Sequence, residues 1–163
     1  MLHLSFNDKF YHICFFYMII NKNKHRSLTI RFMNNSLFYN NTERAFNLHD
    51  STSANQSTFY NNIISLNGSL YSTVNTNAQS NIVADNNLYY NNYHSNELPN
   101  EGSSTITGQD PNFVNTTAGD FHLQSTSPAI NKGKDLSAFF NYDYENTSRP
   151  QGAGWDMGPY EFH

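Results

Sequence analysis

Charge is scarce in this sequence of 163 residues, of which only 13% are Asp, Glu, Lys or Arg. That is about half the charged fraction usual in soluble proteins. The net charge of −4 excludes the basic stripe with which nucleic-acid-binding proteins neutralise phosphates, so no nucleic acid is expected as a partner. The single cysteine, Cys14, excludes an internal disulfide framework and any cysteine-rich zinc site.

Long hydrophobic runs are also missing. The most apolar stretch, residues 11–20, has about half the length that a membrane-spanning helix needs, and it contains His12. We therefore expect no membrane span. The stretch has no clear basic start and no small-residue cleavage site, so a signal peptide is only the lesser alternative. We interpret residues 1–26 as an apolar and basic segment that is either foreign to the main fold or a cap on it.

Asparagine takes the place of the missing charge. The chain contains 26 Asn, 17 Ser and 12 Thr, together with 13 Phe and 11 Tyr. So many aromatic residues are untypical of disordered chains. Three segments align with one another, residues 32–41, 59–68 and 84–92. Each has an Asn pair, then a short apolar stretch, then a second Asn pair or Asn-Gly, which identifies an internal repeat.

The spacing of this repeat predicts the architecture. Asn34 precedes Asn61 by 27 positions, and Asn61 precedes Asn86 by 25 positions. A period in the twenties, built from short strands and turn residues, is typical of a solenoid of parallel strands. Asn suits the corners because it tolerates the left-handed backbone and its amide can bond to the Asn of the next coil. We predict an all-β, right-handed, single-stranded parallel β-helix of about three to five coils, truncated at its N-terminus.

This prediction divides the chain into four parts. Residues 1–26 form the N-terminal segment, residues 27–92 the β-helix coils, and residues 93–108 a polar loop. Residues 109–163 form the last coils and a C-terminal closure. The edge of the first coil is uncovered in this arrangement, so we also expect self-association through it.

The C-terminal part carries its own set of motifs. They are DPNFVN at 110–115, GDFHL at 119–123, SPAINKG at 127–133, RP at 149–150 and DMGPYEF at 156–162. Their order resembles the last coils of extracellular right-handed parallel β-helix proteins of the pectate lyase superfamily. The resemblance implies an extracellular or cell-surface location. We assign Arg149, Trp155 and Asp156 to the structural closure, with Arg149 pairing to a carboxylate or to backbone carbonyl groups.

Residues 27–92 are similar to the later coils of the family-nine pectate lyases. The similarity lies in residues 40–50 and 57–62, where Ala45 replaces the customary Gly. It implies an acidic, pectate-like polysaccharide as the partner. Asn47, His49 and Asp50 are the candidate carbohydrate-binding residues, because they follow a strand where the lyases present polar groups to the sugar chain.

The chemistry of those lyases needs a Lys base and calcium held by several Asp. No such cluster occurs in this sequence, so we predict no catalytic residue, no metal site and no cofactor in this chain, and calcium only for a full-length parent. The predicted function is the C-terminal part of a polysaccharide lyase-like protein that is not catalytic alone.

Two other functions stay open. One is a non-catalytic surface or adhesin-type repeat protein. The other is a glycoside hydrolase, which would need paired carboxylates, and Glu43, Asp50 and Asp85 are the candidates. Asp143 and Glu145 are candidates for calcium, although a closing loop is the simpler interpretation of their position.

Overall fold

The protein is built from short β-strands. The computed structural model describes residues 12–14, 17–22, 28–39, 47–48, 57–68, 73–74, 82–92 and 101–163. Within these ranges the elements, in chain order, are β1 (His12–Cys14), β2 (Tyr17–Lys22), β3 (Leu28–Met33), β4 (Ser36–Tyr39), β5 (Asn47–Leu48), β6 (Ser57–Tyr60), β7 (Ile63–Gly68), β8 (Thr73–Val74), β9 (Ile82–Asp85), β10 (Leu88–Asn92), β11 (Ile106–Thr107), β12 (Phe113–Asn115), a 3-10 helix (Thr116–Ala118) and β13 (Asp120–Leu123). The predicted all-β class is confirmed. No helix in these ranges is long and apolar enough to cross a membrane.

Strands from successive repeats lie side by side. β3, β6 and β9 are parallel to one another in one sheet, and β4, β7 and β10 are parallel in a second sheet, where β11 follows β10. The register joins equivalent positions, since Phe32 pairs with Phe59 and Phe59 pairs with Ala84. β5 and β8 form a separate parallel pair.

The predicted right-handed parallel β-helix of three to five coils is nevertheless wrong. β1 pairs antiparallel with β4, β2 pairs antiparallel with β3, and β12 pairs antiparallel with β13. In the described part of the chain the sheets have five, four, two and two strands, they mix both directions, and none closes into a solenoid. The physical reason lies at the edges of β3 and β4. The antiparallel strands β2 and β1 satisfy the hydrogen bonds of these edges. In a solenoid, a preceding coil of parallel strands would take their place.

This correction also concerns the edge that we expected to be uncovered. β2 runs along β3 from Tyr17, opposite Met33, to Lys22, opposite Leu28. β1 runs along β4 in the same way. The edges of β3 and β4 are therefore occupied by the chain itself, and self-association stays a prediction.

One asparagine of each repeat pair turns the chain between the two sheets. Asn34, Asn61 and Asn86 have φ angles of 52°, 58° and 52°, in the left-handed region. Asn and Gly adopt this conformation more readily than other residues. The repeated Asn therefore fixes a repeated corner.

The second asparagine of each pair forms a buried ladder. Asn62 Oδ1 accepts hydrogen bonds from the backbone N–H and the side-chain amide of Asn35, both at 3.1 Å. Asn87 Oδ1 accepts from the backbone N–H of Asn62 at 2.9 Å and from its side-chain amide at 3.0 Å. All three side chains are fully buried. Each repeat is thus tied to the next through polar groups that water does not reach.

The C-terminal segment crosses the corner asparagines. The Asn34 amide donates to the carbonyl oxygens of Asp156 and Gly158, at 3.0 and 2.9 Å. Asn61 donates to the carbonyl oxygen of Lys134 at 2.9 Å and accepts from its backbone N–H at 2.7 Å. These bonds join positions far apart in sequence, and they hold residues 131–158 against the repeats.

Among the described residues, two apolar clusters contain side chains of both the repeats and the C-terminal segment. The smaller cluster contains Met33, Leu136 and Trp155. The larger cluster contains Ile63, Leu88, Phe113, Phe121, Leu123, Ala129, Met157 and Tyr160. The repeats and the C-terminal part are therefore packed together through both clusters.

Candidate functional site

An open cleft lies between the turn that precedes β11 and residues 128–133. Its volume is about 640 Å³. Its lining is mostly hydroxyl and amide groups, and Lys132 is the one charged residue among the lining residues, which are Asn86, Ser103, Ser104, Thr105, Ile106, Gln109, Pro128, Asn131, Lys132 and Gly133. We call this feature the polar cleft.

The repeat corner positions one wall of the polar cleft. Asn86 has left-handed backbone, and its side-chain amide donates to the carbonyl oxygen of Lys132 at 2.8 Å. On the same wall, the Asn131 side-chain oxygen accepts from the backbone N–H of Gly154 at 2.8 Å. The segment that carries Lys132 is therefore tied down on both sides, and its side chain is left exposed.

Asp85 positions the opposite wall. Its Oδ1 accepts from the backbone N–H groups of Asn86 at 2.9 Å and Ser104 at 3.1 Å. A Cβ atom on Gly102 would lie 2.2 Å from the Asp85 carboxyl carbon, so a larger residue at position 102 would displace the Asp85 carboxylate. The Asp85 carboxylate thus fixes the turn that carries Ser103 and Ser104.

Glu101 supports the same turn from the other side of the strand. The Tyr89 hydroxyl and the Thr105 hydroxyl donate to its two carboxylate oxygens. Burial raises the pKa of Glu101, and the hydrogen bonds from Thr105, Tyr89 and Asn87 counteract part of that effect. Burial also raises the pKa of Tyr89 well above its ordinary value, and the neighbouring Glu101 raises it further.

Asp85 and Glu101 are close enough for the Asp85 charge to contribute to the raised pKa of Glu101. Glu101 forms a parallel bridge with Ala84, so it shares the face of Ala84. Successive residues of a strand point to opposite faces, which places the Asp85 side chain on the other face. The two carboxylates are therefore neighbours on opposite faces of the strands, an arrangement that does not direct both of them at one substrate.

The residues assigned to the closure lie in a buried polar network. The Arg149 side chain is fully buried, and it donates to the Glu161 carboxylate, to the carbonyl oxygen of Gly158 at 2.9 Å and to that of Asp156 at 3.2 Å. The guanidinium carbon lies 5.5 Å from the centre of the Trp155 ring. Arg149, Trp155 and Asp156 are thus brought together around the end of the chain.

Asp156 is the second centre of this network. Its two carboxylate oxygens accept from the backbone N–H groups of Asn131 and Phe162, each at 2.7 Å. Burial raises the pKa of Asp156 to about 6, although these hydrogen bonds and Arg149 oppose the rise. The side chain joins one wall of the polar cleft, through Asn131, to the end of the chain.

Two further carboxylates belong to the network: Glu161, which the sequence analysis did not single out, and Asp143, for which it favoured a closing loop. Glu161 accepts from Arg149 and from the backbone N–H of Gln151 at 3.0 Å. Asp143 is buried and accepts from the backbone N–H groups of Glu145, Thr147 and Glu161. Its oxygens hold a closing turn and are not directed at a cation. A buried Arg needs a carboxylate partner. The DMGPYEF motif contains Glu161, so the sequence could have indicated this residue as the partner of Arg149.

The candidate carbohydrate residues are placed only in part. Asn47 lies in β5, opposite Thr73 of β8. His49, Asp50 and Glu43 lie outside the described residues. The structure therefore does not test whether Asn47, His49 and Asp50 lie together, and their role stays a prediction. The lining of the polar cleft was not predicted, although Asn86 belongs to the repeat and Lys132 to the SPAINKG motif.

Within the described ranges no group of three or more His, Cys, Asp and Glu residues is arranged to hold a metal ion. No protein-family model matches the chain, and no curated protein matches it. The resemblance to the pectate lyase superfamily therefore stays a prediction that depends on the motifs alone.

Proposed function

We propose that this protein binds an acidic polysaccharide in the polar cleft. The observation that carries the proposal is the lining, which combines hydroxyl and amide groups with the single cation of Lys132. Sugar hydroxyl groups both donate and accept hydrogen bonds, and Ser, Thr, Asn and Gln side chains can do the same. A uronate carboxylate is the group that Lys132 would pair with.

The rigidity of both walls supports this proposal. One wall is held by Asn86 and Asn131 and the other by Asp85, in each case through hydrogen bonds to backbone groups. A site that is already ordered loses little conformational freedom when a ligand binds. The cleft is also open to solvent, as a site must be if a long chain is to pass through it.

The proposal concerns binding, without turnover. Binding alone is common to the two main interpretations of the sequence, a part of a polysaccharide lyase-like protein and a non-catalytic surface protein. Lyase chemistry, hydrolase chemistry and an extracellular location stay predictions.

The test compares Lys132→Gln with Lys134→Gln. Lys134 is exposed on the same segment, does not line the cleft, and lies over the Tyr60 ring at 5.3 Å, so it is a matched control for loss of one positive charge. A charge-assisted hydrogen bond contributes about 1.5–3 kcal/mol when buried and less at an exposed site. We expect K132Q to weaken binding of oligogalacturonate about tenfold, equivalent to about 1.4 kcal/mol.

Calorimetric titrations with oligogalacturonate and with its methyl-esterified form measure this effect. Wild-type protein and K134Q should prefer the acidic ligand, and K132Q should bind both forms with similar affinity. Equal losses in the two variants would show that only the net charge matters. Absence of binding to either ligand would contradict the proposed function.

A further inference from the structure

One wall of the polar cleft is joined to the buried closure by a single carboxylate. Asn131 lines the cleft, and its backbone N–H donates to Asp156 Oδ1 at 2.7 Å. The other oxygen, Asp156 Oδ2, accepts from the backbone N–H of Phe162 at the same distance. The Asp156 side chain is buried. Its carboxylate is thus shared between a residue of the cleft and the end of the chain.

The conformation of Asn131 depends on this carboxylate. Its φ of 57° lies in the left-handed region, which residues other than glycine adopt only at a cost in free energy. Two hydrogen bonds hold it there, one from its backbone N–H to Asp156 and one from the backbone N–H of Gly154 to its side-chain oxygen. Only the first of these bonds involves a group that titrates. A change in the charge of Asp156 therefore acts directly on Asn131.

The rest of this wall is held by backbone groups. The backbone N–H of Gly133 donates to the carbonyl oxygen of Trp155 at 2.7 Å, and that of Met157 donates to the carbonyl oxygen of Ala129 at 3.1 Å. These bonds lie on either side of Asn131 and involve no titratable group. A change at Asp156 is therefore expected to alter the wall locally, around Asn131, while the segment stays attached to the closure.

The segments around Asp156 carry several charged or titratable residues, which are Arg149, Glu161, Asp143, His163 and, exposed on the cleft wall, Lys132. Burial raises the pKa of Asp156 to about 6, and the neighbouring Glu161 adds to the rise. The two backbone hydrogen bonds to its carboxylate and the charge of Arg149 oppose it. The carboxylate therefore takes up its proton at a mildly acidic pH, where ordinary carboxylates are still ionised.

Protonation changes what the Asp156 side chain can accept. The carboxylate accepts a hydrogen bond on each oxygen, whereas the acid form has one carbonyl oxygen and one hydroxyl group that donates. Whichever oxygen takes the proton, the bond from Asn131 is no longer made to an ionised group, and charge-assisted bonds are about twice as strong as neutral ones. The acid form still favours the fold as a whole, because burial penalises the charged form. The loss is confined to the hold on Asn131.

We propose that Asp156 is a positioning residue for the polar cleft, and that its ionised carboxylate holds Asn131 in the conformation that binds polysaccharide. The cleft then loses affinity when Asp156 is protonated. This inference rests on the proposed function and adds a pH-dependent regulation of the same site. Lysine ammonium groups and uronate carboxylates ordinarily keep their charges between pH 5 and pH 7, so their pairing does not by itself change over this range. The protein would hold its ligand at neutral pH and release it on mild acidification.

Calorimetric titrations of the full chain with oligogalacturonate at pH 7.5 and at pH 5 measure this effect. Wild-type affinity should be about fivefold lower at pH 5, because the cleft is then less ordered before binding. Asp156→Asn resembles the acid form, since it is uncharged and has one acceptor oxygen. It should bind about fivefold more weakly than wild type at pH 7.5, with no further loss at pH 5.

Two control variants should keep the wild-type pH dependence. Asp135→Asn removes an exposed carboxylate from the segment that follows the cleft wall, and hydrogen bonds from Ser137 lower the pKa of Asp135, away from the range that is measured. His163→Gln removes an exposed histidine at the end of the chain, because histidines in general titrate between pH 5 and pH 8. Circular dichroism checks that each variant is folded.

A measurement on the free protein separates this inference from the proposed function. The backbone amide resonance of Asn131 should titrate with a midpoint near pH 6 in wild type and should not do so in Asp156→Asn. An Asn131 amide that does not titrate, or equal wild-type affinity at the two pH values, would overturn the inference and leave the proposed function standing. Absence of binding at both pH values would contradict the proposed function and this inference with it.

Discussion

Asn62→Ala is the change that tests how the repeats are held together. The Asn62 side chain is fully buried and takes part in four hydrogen bonds. Its oxygen accepts two from Asn35, and its amide donates to the carbonyl oxygen of Phe32 and to Asn87 Oδ1. A hydrogen bond contributes about 1 kcal/mol net, so the variant should lose about 4 kcal/mol, with a further cost for the cavity that it leaves.

Urea unfolding followed by circular dichroism measures this loss through linear extrapolation of the free energy of unfolding. Asn115→Ala is the control, because Asn115 is exposed and its side chain accepts one hydrogen bond, from the backbone N–H of Ala118 at 3.1 Å. The control should cost about 1 kcal/mol. If the two variants differ by less than about 1 kcal/mol, the ladder does not stabilise the protein as argued. An Asn62→Ala protein that is unfolded where Asn115→Ala is folded agrees with the argument.

Three further predictions concern the corners and the closure. In urea unfolding, the free energy of unfolding of Asn61→Ala should be about 1 kcal/mol lower than that of Asn61→Gly, because alanine is strained at a φ of 58° and glycine is not. Equal free energies of unfolding would contradict this prediction. Arg149→Met should lower the free energy of unfolding by about 3–5 kcal/mol, because it leaves the buried Glu161 carboxylate without its cation; a loss within 1 kcal/mol would contradict the closure. The pKa of Asp156 is about 6 in the folded protein against an ordinary 3.8, so this group stabilises the fold most below pH 3.8 and that contribution disappears as the pH rises through 6. The pKa shift corresponds to about 3 kcal/mol of stability. Thermal unfolding between pH 3.5 and pH 7 should show that Asp156→Asn lacks this part of the pH dependence. The same pH dependence in wild type and variant would refute the raised pKa of Asp156.

The repeat made part of the fold predictable. The Asn spacing indicated which positions lie next to each other, and Asn35, Asn62 and Asn87 form the ladder that this spacing suggests. The direction of the flanking strands was not predictable. An apolar run such as residues 17–22 pairs equally well in either direction, and the sequence of residues 23–27 contains neither Gly nor Pro that would have predicted the antiparallel pairing of β2 with β3.

The candidate site was less accessible to sequence reasoning because its parts come from distant segments. Asn86 meets Lys132 across 46 positions, and Asn61 meets Lys134 across 73 positions. Periodicity within one segment gives no information on such contacts. Similarly, Asn131 and Asp156 belong to separate motifs, and their hydrogen bond joins positions 25 residues apart.

The most direct test of the central claim is the location of bound polysaccharide on the protein. Backbone amide resonances of the labelled chain, followed during a titration with oligogalacturonate, report each residue separately. Binding in the polar cleft predicts saturable shifts at Asn86, Ser104 and Lys132, and the same shifts at Asn86 and Ser104 with about tenfold lower affinity in Lys132→Gln. Saturable shifts confined to the exposed Tyr142 and Tyr144, with none at the cleft, would contradict the claim.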